Sequence, residues 1–143
     1  DISCFSFTAV ARAAYPLMVD NGGSMITLTY YGAERVLPNY NVMGVAKAAL
    51  EASIRYLATD LGPDNIRVNG LSAGPMRTLA GSAIGSARKI YNISEANSPL
   101  RKSVTLDQIG NTALYLLGES SSGVTGEIHH VDSGYNIIGM PYL

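Results

Sequence analysis

Residues 24–74 read SMITLTYYGAERVLPNYNVMGVAKAALEASIRYLATDLGPDNIRVNGLSAG. The first seven, 24–30, form a short apolar and β-branched run, which predicts a buried strand. Residues 39–61 carry apolar side chains at helical spacing and end at Gly62-Pro63, so we expect a long helix there. Residues 66–74 predict a second strand that runs into a glycine turn. A strand, a helix and a second strand in this order favour a parallel pair with a helical crossover.

The rest of the chain repeats this alternation. The opening residues show an apolar helical pattern that ends near Pro16 and comprises Phe5, Ser6, Ala9, Val10, Ala13 and Leu17. Thr105 and Gln108 have the spacing of a capping box, which predicts the start of a further helix. Residues 126–134 predict a third strand, and residues 75–98 predict one or two short helices. The expected fold is α/β, with a parallel sheet covered by helices on both faces.

Composition limits the possible partners. Apolar residues make up 47% of the 143-residue chain and charged residues 15%, which suits a packed interior and predicts that some surface meets another subunit. The net charge of -1 and the scattered Lys and Arg residues argue against nucleic acid as a partner. One cysteine and no Cys/His cluster predict a reducing, cytoplasmic setting without a metal. No apolar run reaches about 18 residues, so no membrane partner is expected.

Several polar side chains are expected where ligands bind in such sheets, at the carboxyl ends of the strands. Tyr30, Gly74 and Asp132 each lie at or near such an end. Tyr40 and Lys47 are seven residues apart, which on a helix is about 20° short of two full turns, so both would face one side. A nearby ammonium favours the phenolate, and a cofactor ribose has the size to bond both groups. The alternative is a half-buried tyrosine and a lysine whose stem covers apolar surface.

Two other groups of candidates have simpler interpretations. His129 and His130 are adjacent in the third predicted strand and should point to opposite faces, so they cannot both bind one metal ion. We expect them to have a structural role at the sheet edge or in a subunit contact. Cys4 has no partner base in the sequence pattern, so a small buried apolar role is expected.

The segments TYYGAERVLPNYNVMGVAKAALEASIRYLATDLGP, IRVNGLSAGPMRTLA and GVTGEIHHVDSGY together resemble the bacterial and plastid enoyl-acyl-carrier-protein reductases. These are a divergent branch of the short-chain dehydrogenase/reductase superfamily, and the resemblance covers essentially the whole chain. Ordinary members of the superfamily keep their catalytic tyrosine and lysine four residues apart. This branch spaces them seven apart, as Tyr40 and Lys47 are.

The resemblance implies roles for particular residues. Tyr40 would donate a hydrogen bond to the substrate's thioester carbonyl, Lys47 would hold the nicotinamide ribose, and Tyr30 would be the second active-site tyrosine. Tyr31 has no such match. Further residues implied to bind the cofactor are Gly74, Pro75, Met76, Arg77, Thr78, Leu79 and Ala80, with Met76 and Thr78 foremost. Met43 and Ile84 would contact the substrate. Residues 80–93 match the family's substrate-binding helix, with Ala87 where many members have an aromatic residue.

The resemblance also implies a cellular context. The expected reaction is hydride transfer from NADH or NADPH to carbon 3 of a trans-2-enoyl thioester on acyl carrier protein, with NADH favoured. A homotetramer in the cytoplasm of a bacterium, or in a plastid, is implied as well. No glycine-rich phosphate-binding turn occurs in the sequence, so residues 1–143 are expected to be the C-terminal half of a Rossmann-type domain.

Two alternatives to this function come from other classes. An ordinary superfamily member that acts on alcohols or ketones would have a lysine at position 44, where this chain has glycine. A non-catalytic fragment would keep only the sheet and its assembly contacts.

Overall fold

Three parallel strands and the helices on their two faces make up the fold. The structure is a computed structural model that describes residues 1–76 and 87–140. The elements, in chain order, are helix α1 (Phe5–Met18), strand β1 (Gly23–Thr29), helix α2 (Val42–Leu61), strand β2 (Ile66–Ala73), helix α3 (Ala87–Asn97), helix α4 (Leu106–Leu117) and strand β3 (Ile128–Val131). Short 3-10 helices span Tyr31–Ala33, Gly62–Asp64, Glu119–Ser121 and Tyr135–Ile137.

The sheet has the order β1-β2-β3, and both pairings are parallel. The register of β1 against β2 runs from the pair Gly23 and Ile66 to the pair Thr29 and Ser72. In β3, Val131 pairs with Ala73 at the end of β2. All three strands therefore finish at the same edge of the sheet. The predicted α/β class with a parallel sheet is confirmed.

Apolar side chains cover both faces of the sheet. The cluster under α1 and α2 contains Ala11, Met25, Ile54, Ala58, Ile66 and Val68. The cluster on the opposite face, under α4, contains Leu71, Val104, Ile109 and Leu116. Neighbouring residues of β1 point to opposite faces of the sheet. Met25 belongs to the first cluster, and Ile26 packs against the second. Helices on both faces, as predicted, follow from this alternation.

The start of the long helix differs from the prediction. Helix α2 begins at Val42, not at residue 39, because Asn39 and Asn41 have φ angles of 66° and 42°. These left-handed values interrupt a right-handed helix. Tyr40 therefore lies in the turn before α2. Tyr40 and Lys47 do not share one face of a single helix, so that prediction is wrong, although the two residues lie on connected segments.

The buried face of α1 also differs from the expected one. Phe5, Val10 and Leu17 are 66%, 63% and 83% exposed, whereas Ala11 is buried. Phe7 is among the residues of α1 that pack against the first cluster. Helical periodicity finds an apolar stripe but does not say which stripe meets the sheet when a helix has apolar residues on two sides. None of the helices in the described ranges could span a membrane.

Polar contacts fix both ends of helix α4. The predicted capping box is confirmed, since Thr105 and Gln108 exchange hydrogen bonds of 3.0 and 3.2 Å at the start of α4. Arg67 of β2 donates to the carbonyl oxygens of Leu116 and Gly118 at 3.0 and 3.1 Å. A guanidinium therefore satisfies the last carbonyl groups of α4 and joins that helix to the central strand.

We predict that Arg67→Met destabilises the fold by about 2 kcal/mol, because the change removes charge-assisted hydrogen bonds and leaves the carbonyl groups at the end of α4 without these donors. The measurement is the free energy of unfolding from a denaturant titration. Lys102→Met is the matched control, since Lys102 is exposed and its loss should change stability by less than about 0.5 kcal/mol. Equal effects of the two substitutions would contradict this role of Arg67.

Candidate active site

Polar groups gather at the edge where the strands end. Tyr30, Gly74 and Asp132 are the residues that directly follow β1, β2 and β3. The amide of Gly74 donates to the carbonyl of Val131 at 2.8 Å. A Cβ atom at Gly74 would lie 2.8 Å from the Cα of Asp132, so the two segments pack closer than any side chain at this position would allow. The predicted placement of these three residues at one edge is confirmed.

Asp132 organises the loop that leaves β3. Its carboxylate accepts hydrogen bonds from the backbone amides of Gly134 at 2.9 Å and Asn136 at 2.8 Å. The side chain is 6% exposed, so these bonds satisfy a charge that solvent barely reaches. The loop so formed carries Tyr135, whose ring packs edge-on against Tyr31 with the ring centres 5.9 Å apart.

The two candidate catalytic tyrosines contact each other. The ring centres of Tyr30 and Tyr40 are 5.4 Å apart, and the ring planes make an angle of 75°. Tyr31 instead packs against Tyr135, so the neighbouring residues Tyr30 and Tyr31 face different partners, as expected at a strand end. The structure thus joins Tyr30 with Tyr40 and leaves Tyr31 outside the pair.

Two glycines fix the position of Tyr40. A Cβ atom at Gly32 would lie 2.5 Å from Cδ1 of Tyr40, so the ring lies directly against the backbone of the 3-10 helix that follows β1. A Cβ atom at Gly44 would lie 2.9 Å from the carbonyl oxygen of Gly32. This close approach leaves no room for a side chain at position 44. The lysine that an ordinary short-chain dehydrogenase needs there cannot fit this arrangement.

Lys47 places a cation beside the end of β1. Its Nζ donates to the carbonyl oxygen of Leu28 at 2.8 Å, and the side chain is half-buried. Burial lowers the pKa of Lys47, while the charges of Glu51 and Cys4 act in the opposite direction. An ammonium has three donors, and within the described residues this bond uses one of them. The remaining donors are available to a ligand at the strand edge.

Both tyrosines stay protonated at neutral pH. Burial raises the pKa of Tyr30 to about 12, and Tyr40, Tyr135 and Asp132 add to the rise. Burial also raises the pKa of Tyr40, which is opposite to the direction expected from a nearby ammonium. Each phenol is therefore a hydrogen-bond donor and not a base. A pair of half-buried donors suits the stabilisation of negative charge that develops on a carbonyl oxygen.

Other predicted residues are less informative. Met43 lies in the first turn of α2, where its Sδ accepts a hydrogen bond from Ser3 at 3.7 Å. Met76 packs against the apolar cluster on the α4 face, and Pro75 is half-buried beside it. Arg77, Thr78, Leu79, Ala80 and Ile84 lie outside the described residues.

The histidines take part in structural contacts. His130 Nε2 lies 2.7 Å from Glu34 Oε1, and the ring of His129 lies 6.5 Å from that of Tyr115. Over residues 1–76 and 87–140, no three His, Cys, Asp or Glu side chains are grouped so that they could hold a metal ion. Cys4 is half-buried and unbridged.

Sequence reasoning missed a buried pair next to Lys47. Thr29 Oγ1 donates to Glu51 Oε1 at 2.6 Å, and the two residues are only 4% and 5% exposed. The available signal was an acidic residue four positions after a lone lysine, in a helix that is otherwise rich in small apolar side chains.

Comparison with known proteins shows the family of the chain. A family model described as enoyl-(acyl carrier protein) reductase matches residues 1–136. The chain belongs to this family. The enoyl-[acyl-carrier-protein] reductase [NADH] 1 of Rhizobium meliloti is 64% identical over 140 residues, which are 98% of this chain and 51% of the relative. The FabI of Synechocystis is 57% identical over 98% of this chain and 54% of its own length.

Solved structures agree with this assignment. The crystal structure of FabI from Candidatus Liberibacter asiaticus superposes with a TM-score of 0.93 at 59% identity, over 98% of this chain and 54% of that one. The enoyl-acyl-carrier-protein reductase of Anaplasma phagocytophilum, in complex with NAD, gives a TM-score of 0.92 at 57% identity, over 99% of this chain and 53% of that one. The chain spans about half the length of the relatives it matches.

We predict that one phenol of the folded protein titrates near pH 12 and that Tyr30→Phe removes this component. Because the folded pKa of Tyr30 is about 12 and the unfolded value about 10, stability from protonated Tyr30 is full below pH 10 and lost as the pH rises through 12. The measurement is phenolate absorbance against pH. Chain unfolded in guanidinium is the control, since its tyrosines should all titrate near 10. If Tyr30→Phe still shows the component near pH 12, the raised pKa does not belong to Tyr30.

Proposed function

We propose that the whole protein is an NADH-dependent enoyl-acyl-carrier-protein reductase, which reduces carbon 3 of a trans-2-enoyl thioester in fatty acid synthesis. The observation that carries this proposal is the contact between two protonated tyrosines, Tyr30 and Tyr40, at the strand edge that also holds Lys47. Family membership supports it, since the relatives that match the chain are named enoyl-acyl-carrier-protein reductases. The lack of room for a side chain at Gly44 argues against the chemistry of ordinary alcohol dehydrogenases.

The residues of the site would act by binding and polarising the substrate. With a hydride added at carbon 3, negative charge would develop on the thioester oxygen, and carbon 2 would then take up a proton from solvent. Tyr40 would donate a hydrogen bond to that oxygen, and its raised pKa keeps the donor proton in place. Tyr30, in edge contact with Tyr40, would shield this bond from water and stand next to the acyl group. Partial burial of both tyrosines strengthens the electrostatic interaction.

The residues at the strand edge fit a nicotinamide cofactor. NADH would supply the hydride. Lys47 offers a cation that is anchored on Leu28 and still has donors for the ribose hydroxyls. Asp132 fills the space of a side chain at Gly74, so the main chain that follows β2 stays at the strand ends, where its backbone groups would contact the carboxamide. Pro75 and Met76 would border that position, and the proposed contacts of Arg77, Thr78, Leu79 and Ala80 continue along the same segment.

The remainder of the cofactor would bind residues that this chain does not contain. The sequence has no glycine-rich turn of the kind that binds a pyrophosphate at a helix start. We therefore assign the chain to the C-terminal half of a single Rossmann-type domain, whose other half would hold the adenosine. The substrate would come from acyl carrier protein, with Met43 and Ile84 near the acyl chain.

The whole protein is also proposed to be a homotetramer. Apolar side chains on α1 and α2 point outward, and Phe5, Leu17 and Val45 are 66%, 83% and 72% exposed. Ile137 and Met140, near the end of the described residues, are 73% and 79% exposed. Packing against further copies would remove this apolar surface from water.

We predict that the whole protein oxidises NADH with a trans-2-enoyl thioester and does not reduce simple ketones. Tyr40→Phe should lower turnover about 100-fold, the typical effect of removing one donor to a developing oxyanion, with little change in NADH affinity. Steady-state kinetics and direct NADH binding measure the two effects. Tyr31→Phe is the control and should behave like the wild type, because Tyr31 packs against Tyr135 instead. Ketone turnover of similar efficiency would overturn the proposal.

We predict that light scattering finds a tetramer of the whole protein at micromolar concentration. Val45→Lys should dissociate it, because burying an unpaired charge in an apolar contact is unfavourable. Val36→Lys is the matched control, since Val36 is 98% exposed and lies outside α2. A wild-type monomer would exclude the tetramer, and dissociation by Val36→Lys alone would exclude α2 as its contact.

A further inference from the structure

Two charged side chains of α2 hold consecutive residues of β1. Lys47 and Glu51 are four residues apart on the helix and so lie one turn apart on the same side. Lys47 donates to the carbonyl oxygen of Leu28 at 2.8 Å, and Glu51 accepts from the hydroxyl of Thr29 at 2.6 Å. Tyr30 is the next residue of the chain. The end of β1 is therefore fixed to α2 at two adjacent points, immediately before an active-site tyrosine.

Packing alone does not explain why this attachment uses a buried carboxylate. Glu51 is 5% exposed, and a buried carboxylate costs free energy that an apolar residue of similar size would avoid. Burial raises the pKa of Glu51, but the hydrogen bond from Thr29 acts in the opposite direction and favours the charged form. His130 and Arg55 also favour it, whereas Glu34 opposes it. A charged Glu51 in turn offsets part of the loss of solvation at Lys47, whose pKa burial lowers.

We propose that Thr29 and Glu51 are positioning residues for Lys47, which keep its ammonium at the end of β1 where it can reach the nicotinamide ribose. This inference rests on the proposed function, and it assigns to these two residues a task in cofactor binding. The hydroxyl of Thr29 orients the Glu51 carboxylate. The carboxylate keeps Lys47 charged, and the Leu28 carbonyl fixes where the ammonium lies. Loss of any part should weaken NADH binding through Lys47, without contact between Thr29 or Glu51 and the cofactor.

The first test removes the Thr29 hydroxyl in the whole protein. Thr29→Val, which keeps the shape, should weaken NADH binding about tenfold, the effect of one hydrogen bond of ordinary strength. Thr29→Ser, which keeps the hydroxyl, should bind NADH like the wild type. In a Lys47→Met background Thr29→Val should have no further effect, because it acts through the lysine. Calorimetric titration with NADH measures the wild type, the three single variants and the double variant, and thermal melting checks that each is folded.

The second test separates the charge of Glu51 from its shape. Glu51→Gln keeps an oxygen that can accept from Thr29 but removes the negative charge. Cys4 is then the remaining group whose charge raises the pKa of Lys47. The pKa of Lys47 should fall, so its ammonium is lost at lower pH and NADH affinity declines earlier as the pH rises. The wild type and Glu51→Gln are compared by NADH titration over the alkaline range.

The outcomes distinguish this inference from the function on which it rests. A wild-type protein that does not bind NADH would overturn both. Normal NADH binding by Thr29→Val, or an equal loss in the Lys47→Met background, would overturn the positioning role alone. The same applies if Glu51→Gln has the alkaline profile of the wild type. A tenfold loss in Thr29→Val that Thr29→Ser restores, together with the earlier alkaline decline in Glu51→Gln, would establish it.

Discussion

The parallel pairing of β1, β2 and β3 is the constraint on which the site depends. Because the strands run the same way and in register, Tyr30, Gly74 and Asp132 all leave the sheet at one edge. Residues separated by about a hundred positions in sequence thereby become neighbours. The apolar clusters on both faces hold this pairing, and Arg67 joins the central strand to the end of α4. The packed sheet thus holds the strand ends, and the polar side chains on them, in fixed positions.

The seven-residue spacing of Tyr40 and Lys47 does not reflect two turns of one helix. Tyr40 lies in the turn before α2, and Gly32 lets its ring rest against the backbone after β1. Lys47 is reached only after a turn of helix. The two groups therefore have separate supports, the tyrosine on a glycine-lined turn and the lysine on the carbonyl of Leu28. Separate supports allow one to contact a carbonyl oxygen while the other contacts a cofactor.

Much of this arrangement could be predicted from the sequence, for definite physical reasons. Periodicity and turn residues found the strands and the parallel sheet, and the spacing of Thr105 and Gln108 found the cap of α4. The start of α2 was not found, because asparagine permits a left-handed φ angle but does not require one, so Asn39 and Asn41 do not by themselves decide where the helix begins. The role of Glu51 was also hidden, since its burial depends on Thr29, which lies 22 positions away. Contacts of that range arise from the packing of helix on sheet.

Departures from local rules are concentrated at the edge that carries the proposed chemistry. Asn39 and Asn41 have left-handed φ angles, Tyr30 has a raised pKa, and Glu51 is a buried acid. The opposite edge has Asn65 at a left-handed position too, but there it simply ends a 3-10 helix, an ordinary use of asparagine. A fold that followed propensity alone would have no reason to bury a carboxylate beside a lysine. Burying Glu51 costs free energy. That cost is explained if function depends on the position of the Lys47 ammonium and on the protonated state of the two phenols.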